Sequence, residues 1–240
     1  MISCDSFPSI ITEARALKLP VVFPFLENLT GWRFLSGNGF CQIIINRTTQ
    51  EELVGEMDEI ARVFKMLDYR VDKATCTPSD GIEKVVESIA ARDYQIEYTK
   101  IFVCFILSNL TENMEMESVK GGAFNVKDLM GMFSPLHCPQ LSGRPKVFIF
   151  LVHQKAGIKA SESKYSVSKT LTTHLPFHGL CLFVPYSQGY LSTLLTKIKL
   201  NDSDLDLLTI LEEAKKSFYK ETNITIPDPV HNFNERVFLA

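Results

Sequence analysis

Lys146-Val147-Phe148-Ile149-Phe150-Leu151-Val152-His153-Gln154 decides how this chain is read. An unbroken apolar run leaves the turn Gly143-Arg144-Pro145. Apolar side chains on both faces mark a central strand of a parallel sheet rather than a half-solvated antiparallel one. The run ends at His153, where many α/β enzymes place a nucleophile, and no cysteine or serine stands there. Upstream, Phe102-Val103-Cys104-Phe105-Ile106-Leu107-Ser108-Asn109 repeats the pattern. It ends at Asn109, an amide at a position suited to a general base.

Outward from these strands, structure types alternate. Cys41 to Asn46 predicts a short apolar strand, and Leu53, Met57, Ile60, Ala61 and Phe64 have helical spacing over 51–67. Tyr69-Arg70-Val71 reads as a second strand. Thr77-Pro78-Ser79-Asp80 reads as a helix start, with Thr77 or Ser79 as cap and the helix running to about Ala91. A third strand spans Thr99 to Ser108, and a helix follows over Asn125 to Phe133. Beyond the fourth strand, Ala156 to Thr173 is rich in serine and lysine and reads as a flexible internal linker. Gly179 to Pro185 predicts a fifth strand and Ser203 to Lys220 a helix. His231 to Phe238 predicts a terminal strand. The alternation implies an α/β fold with a mainly parallel central sheet of about six strands and helices on both faces.

The chain has 240 residues, 45% hydrophobic and 22% charged, which suits one α/β domain with a sizeable core. A formal net charge of -3 argues against a general nucleic-acid partner, because phosphate contacts need a basic surface. No signal peptide is visible at the N-terminus. Lys18, Pro20 and Pro24 break the run from Leu17 to Leu26, so no membrane span is expected there. The six cysteines form no C-x-x-C pair and imply a reducing, cytoplasmic compartment. The sequons, such as Asn223-Ile224-Thr225, read as chance matches.

The strand order and several local stretches resemble the caspase catalytic domain over roughly residues 38–240. Leu67-Asp68-Tyr69-Arg70-Val71 is similar to the family's second strand. Cys138-Pro139-Gln140-Leu141-Ser142-Gly143-Arg144-Pro145-Lys146 is similar to the segment leading into its fourth. Gly189-Tyr190-Leu191-Ser192 resembles the loop that flanks the family's substrate groove. The resemblance implies one caspase-like domain: an irregular segment at 1–38, a large-subunit-like part at 39–155, a linker at 156–173 and a small-subunit-like part at 174–240. Caspase maturation cuts after aspartate in that linker. Between Asp128 and Asp202 this chain has no aspartate, so the linker is expected to stay uncleaved.

Caspase chemistry needs a thiolate, a base to generate it and donors for the oxyanion. The resemblance assigns the nucleophile to His153, the base to Asn109 and the oxyanion glycine to Leu110. It assigns pocket positions that hold the substrate aspartate to Leu151 and Leu194, where the family uses glutamine and arginine. An aspartyl carboxylate buried against leucine would be left unpaired at a cost of several kcal/mol. The expectation is therefore a catalytically dead relative, needing neither cofactor nor metal.

Caspases work as dimers that pair through the last strand. The resemblance thus implies a heterodimer with an active, initiator-type caspase, through Val230, Phe233, Glu235 and Val237. This is similar to the FLICE-inhibitory-protein type of regulator, with allosteric activation in cell-death signalling as the leading expectation and a decoy inhibitor as the alternative. A second alternative is altered chemistry using His153, His137 or a cysteine such as Cys138 or Cys104. His137-Cys138 offers no second pair at metal-site spacing, and Cys104 lies inside an apolar strand. Glu112, Glu115 and Glu117 read as a solvated acidic loop.

Overall fold

The structure, a computed structural model, describes residues 39–46, 54–92, 99–109, 115–153, 175–185, 189–200 and 205–239. These all belong to one unit spanning residues 38–240. The segment before residue 39, Leu110 and the linker over 156–173 lie outside them.

Period-2 alternation on long apolar strands builds the main sheet. In chain order, β1 is Phe40–Asn46, β2 Arg70–Thr75 and β3 Phe102–Asn109. Two short strands follow, β4 (Glu115–Glu117) and β5 (Ala123–Asn125), and then β6 (Lys146–His153), β7 (Gly179–Pro185) and β8 (Val230–His231). The six-stranded sheet has the order β2-β1-β3-β6-β7-β8, all parallel except β8, which runs antiparallel to β7. Every β3 residue from Phe102 to Leu107 is at most 1% exposed, so both faces are covered. Each such large apolar side chain contributes about 1.5–3 kcal/mol on burial.

The two faces sort by alternation. Cys41, Ile43, Val103, Phe105, Ile149, Leu151 and Leu182 point to one core. Helix α1 (Val54–Met66), α4 (Tyr190–Leu200) and α5 (Leu207–Thr222) cover this side. Phe40, Ile44, Phe102, Ile106, Phe148, Phe150 and Phe183 point to the other core, which α2 (Ile82–Ala90) and α3 (Val126–Gly131) cover. Phe102, Phe133 and Phe148 meet there in tilted and edge-on contacts with centroids 5.1–6.0 Å apart.

The β6–β7 junction shows why particular residues are required. Gly179 starts β7 so close to β6 that a Cβ on it would lie 2.2 Å from the Lys146 carbonyl oxygen. The Lys146 side chain is fully buried. Its Nζ donates to the carbonyls of Leu141 at 2.7 Å and Arg144 at 3.3 Å, and sits 5.5 Å from the Phe177 ring centre. Burial lowers its pKa to about 8.

Several expectations need correction. Gly189-Tyr190-Leu191-Ser192 is no loop beyond Gly189, because Tyr190 opens α4 and buries Leu191, Leu194, Leu195 and Ile198. Leu194 is therefore a mid-helix core residue, fully buried. The terminal strand covers only Val230–His231. Beyond it the chain turns inward, burying Val237 and Leu239, and the Leu207 amide donates to the Val237 carbonyl at 2.6 Å. Val237 thus faces the core. Neither Thr77 nor Ser79 caps α2. The cap is Gly81, while Thr77 and Asp80 close a turn on each other. The acidic segment is partly a hairpin, β4 against β5, with Met116 fully buried.

Candidate functional site

In an open parallel sheet, ligands bind outside the carboxyl ends of the strands, at the point where the chain's direction of winding reverses. Here β2 lies on one side of β1 and β3 on the other, so that point falls between the ends of β1 and β3. Asn46 ends β1, and Ser108 and Asn109 end β3. His153 ends β6 and pairs in backbone register with Asn109. The resemblance assigns Asn109 and His153 to the base and nucleophile positions; the sheet brings them to the same level on neighbouring strands.

A polar group closes on this corner. The Asn46 carboxamide is 1% exposed, and its Nδ2 donates to Ser108 Oγ at 2.9 Å and to the Glu117 carbonyl at 2.9 Å. Ser108 Oγ in turn donates to the Asn109 carbonyl at 3.1 Å. Asn109 Nδ2 donates to Glu117 Oε2 at 2.9 Å. Two buried oxygens in this group, Asn46 Oδ1 and Asn109 Oδ1, have no hydrogen-bond partner. Glu117 comes to the corner because the β4–β5 hairpin folds back beside β3. Sequence reasoning reads that glutamate as solvated loop. Gly121-Gly122, both at positive φ, are the available signal for a tight hairpin turn.

The remaining named residues fall elsewhere. Leu151 is fully buried between Leu107 and Val184, its register partners on β3 and β7. With Leu194 it belongs to the core on the α1–α4–α5 side, closed to solvent. Val230 is half-buried on the sheet edge, Phe233 packs partly onto the same core, and the Glu235 side chain is 73% exposed, 3.9 Å from His178 Nε2. Asn232 clamps the edge: its Oδ1 accepts from the Gly179 amide at 2.8 Å and its Nδ2 donates to the Phe177 carbonyl at 2.9 Å.

The five described cysteines, Cys41, Cys76, Cys104, Cys138 and Cys181, are all buried and form no disulfide. Burial drives the Cys41, Cys104 and Cys181 thiols far up, and Cys76 to about 11, away from the thiolate a nucleophile requires. Cys138 Sγ lies 3.7 Å from the Ala90 carbonyl in the opposite core. Among the described residues no three His, Cys, Asp or Glu side chains gather around a possible metal position, and no helix is long and apolar enough to cross a membrane.

A cleft of about 600 Å³ lies between α5 and the segment Pro227–His231, floored by Leu182, Tyr190, Leu208 and Leu211. None of its lining residues belongs to the strand-end group.

Compared with known proteins, residues 38–174 match the family model of the caspase domain. The Drosophila initiator caspase Dronc is similar in structure, with a TM-score of 0.64, 13% identity, and 87% of this chain and 84% of that chain covered. The structure of pro-sf-caspase-1 is similar too, with a TM-score of 0.63, 15% identity, and 85% of this chain and 94% of that chain covered. No curated protein matches this chain in sequence.

Proposed function

The chain belongs to the caspase domain family, and on that premise we propose that it is a non-enzymatic member that regulates an active, initiator-type caspase by pairing with it. One observation carries the non-enzymatic reading. At the base position stands an amide that cannot take a proton near neutral pH, and it is hydrogen-bonded to Glu117. Three further features support it. The strand register puts His153 rather than a thiol opposite Asn109. The described cysteines are buried, four of them with raised pKa values. Only Tyr186, Ser187, Gln188 and Gly189 separate β7 from α4, leaving little chain for a loop that would grip a peptide.

The pairing surface is the β8 edge of the sheet, a row of backbone groups that a partner strand can extend. It is shorter than the sequence implied, with Val230 and His231 as its strand residues and Glu235 exposed beside it. A six-stranded sheet covered by helices on both faces is more than a competitor needs, so the partner's activity is expected to rise on pairing.

Titration of the purified chain into an active initiator caspase tests this, with complex mass and aspartyl-peptide turnover measured together. The expected result is a one-to-one complex with raised turnover, weakened by His231→Pro, which removes a ladder donor. A complex with lowered turnover would make the chain a decoy inhibitor. Absence of a complex would overturn the regulatory reading.

A further inference from the structure

The turn between β2 and α2, Thr77-Pro78-Ser79-Asp80, belongs neither to the strand-end group nor to the β8 edge. All four residues are exposed, and the Asp80 side chain is 57% exposed. The turn closes on itself: the Thr77 amide donates to the Asp80 carbonyl at 3.1 Å and the Asp80 amide to the Thr77 carbonyl at 3.0 Å. Contacts of the carboxylate are long, with Lys84 Nζ and Thr77 Oγ1 at 3.5 Å and Ser79 Oγ at 3.4 Å. Opening this turn therefore leaves the sheet ladder intact. Exposed loop tips of small and polar residues are where chains are nicked.

The other described aspartates are held in ways that oppose an extended pose. Asp58 and Asp128 lie within α1 and α3, and Asp72 within β2. Asp68 precedes buried Tyr69, whose amide donates to the Phe64 carbonyl at 2.9 Å. Asp206 uses its carboxylate to cap α5, and Asp228 precedes Pro229. After Asp80 stands Gly81, which has no side chain to obstruct an approaching group, and Pro78 presets an extended-compatible φ.

We propose that the Asp80–Gly81 peptide bond is a cleavage site for an aspartate-directed cysteine protease. The step is a hydrolysis. The protease thiolate attacks the Asp80 carbonyl carbon, the bond to the Gly81 nitrogen breaks as that nitrogen takes a proton, and water then releases Asp80 with a free carboxyl group. Gly81 is buried, and a Cβ on it would lie 3.1 Å from Ser118 Oγ. The start of α2 must therefore lift before the bond is cut, and the rate follows the population of that open form. β2 and β8 are opposite edges of the sheet, so a partner strand on β8 leaves this turn open. The cut places a positive α-amino group at the N-cap of α2, where the helix dipole favours negative charge. α2 covers one core through Ile82, Val86 and Ile89, so the cut loosens that cover. The two pieces stay together, because β1 in the first pairs with β3 in the second over Phe40 to Asn46.

The test is incubation of the whole chain with a purified active caspase, followed by a denaturing gel and intact mass. The expected products are residues 1–80 and 81–240, which co-elute under native conditions, with amide exchange over 82–90 faster than in the uncut chain. Asp80→Asn keeps the size of the side chain and removes its charge. Checked for an unchanged melting temperature, it should be cut at least about a hundredfold more slowly, and Asp228→Asn at the parent's rate. No cut, a first cut at another aspartate, or equal cutting of Asp80→Asn would overturn the proposal. A stable complex with the caspase and no cut would overturn it while leaving the regulatory reading in place. A cut at Asp80 with no complex would do the reverse.

Discussion

Asn109 Nδ2 donates to the Glu117 carboxylate across 2.9 Å, tying the end of β3 to the β4–β5 hairpin. This bond lies at the strand end that the family resemblance assigns to the base. An amide cannot accept the proton of a thiol, and a carboxylate beside it disfavours the oxyanion of an acyl-transfer intermediate.

Restoring the two chemical groups alone should therefore not restore a protease. The double variant Asn109→His with His153→Cys is expected to show no cleavage of fluorogenic aspartyl peptides above the blank. Glu117 stays beside Asn109, and the resemblance assigns Leu110 to the position of the family's oxyanion glycine. Clear turnover by this variant would show that the corner retains an oxyanion site and a pocket.

Lys146 gives the fold a pH signature. Its folded pKa of about 8 lies below the ordinary lysine value of 10.5, so between those values the unfolded chain binds more protons than the folded one. Stability from this group therefore rises as pH rises from about 8 toward 10.5, and below 8 the buried charge carries its full cost. Lys146→Met should lack that rise. Near neutral pH two effects oppose each other in the variant, relief of the buried charge and a loss of about 1–3 kcal/mol from the hydrogen bond to the Leu141 carbonyl, so the pH dependence is the readout. Urea melts of both proteins at neutral pH and at a pH between the two values read the difference.

Asp206 caps α5, accepting from the amides of Leu208 at 3.1 Å and Thr209 at 3.3 Å and from Thr209 Oγ1 at 2.8 Å. Asp206→Ala should cost about 0.5–2 kcal/mol in chemical denaturation. Slight burial works to raise its pKa, but the hydrogen bonds from Thr209 and Leu208, with Arg236 nearby, outweigh it and hold the carboxyl below its ordinary 3.8. A lowered acid pKa means stability present above pH 3.8 and lost as pH falls through the folded value. The variant and the parent should thus converge in stability as pH falls below the ordinary carboxylate range.

Asn232 is the clamp of the short edge strand. Asn232→Ala removes the side-chain bonds to Gly179 and Phe177 and leaves their backbone groups without those partners. Amide exchange over 230–239 should speed up while β3 and β6 stay protected. Equal protection in parent and variant would place the anchoring of the tail elsewhere, in Val237 and Leu239.

Much of this fold is legible in the sequence because the central strands carry unambiguous patterns. β1, β3, β6 and β7 are apolar on both faces, and α5 shows its stripe through Leu207, Leu211, Ala214 and Phe218. The corner is legible only in part. Asn109 and His153 follow from strand ends, whereas Glu117 reaches the site through a hairpin of three-residue strands too short and too charged to read. α4 escapes the reading although Leu191, Leu194, Leu195 and Ile198 recur at helical spacing. The family likeness of Gly189-Tyr190-Leu191-Ser192 outweighs the periodicity there. The terminal strand is overextended because apolar Val237 and Phe238 suit a strand equally well as an inward-turning tail. Pro227 and Pro229 are the signs of a short edge.

The central claim is that this caspase-domain chain does no chemistry of its own. The most direct measurement is the hydrolysis rate of the purified chain on a broad library of aspartyl and non-aspartyl peptides, beside Glu117→Gln, His153→Ala and Cys→Ser variants. The expected result is a rate at the blank for every protein. Turnover that falls when His153 or any cysteine is replaced would contradict it.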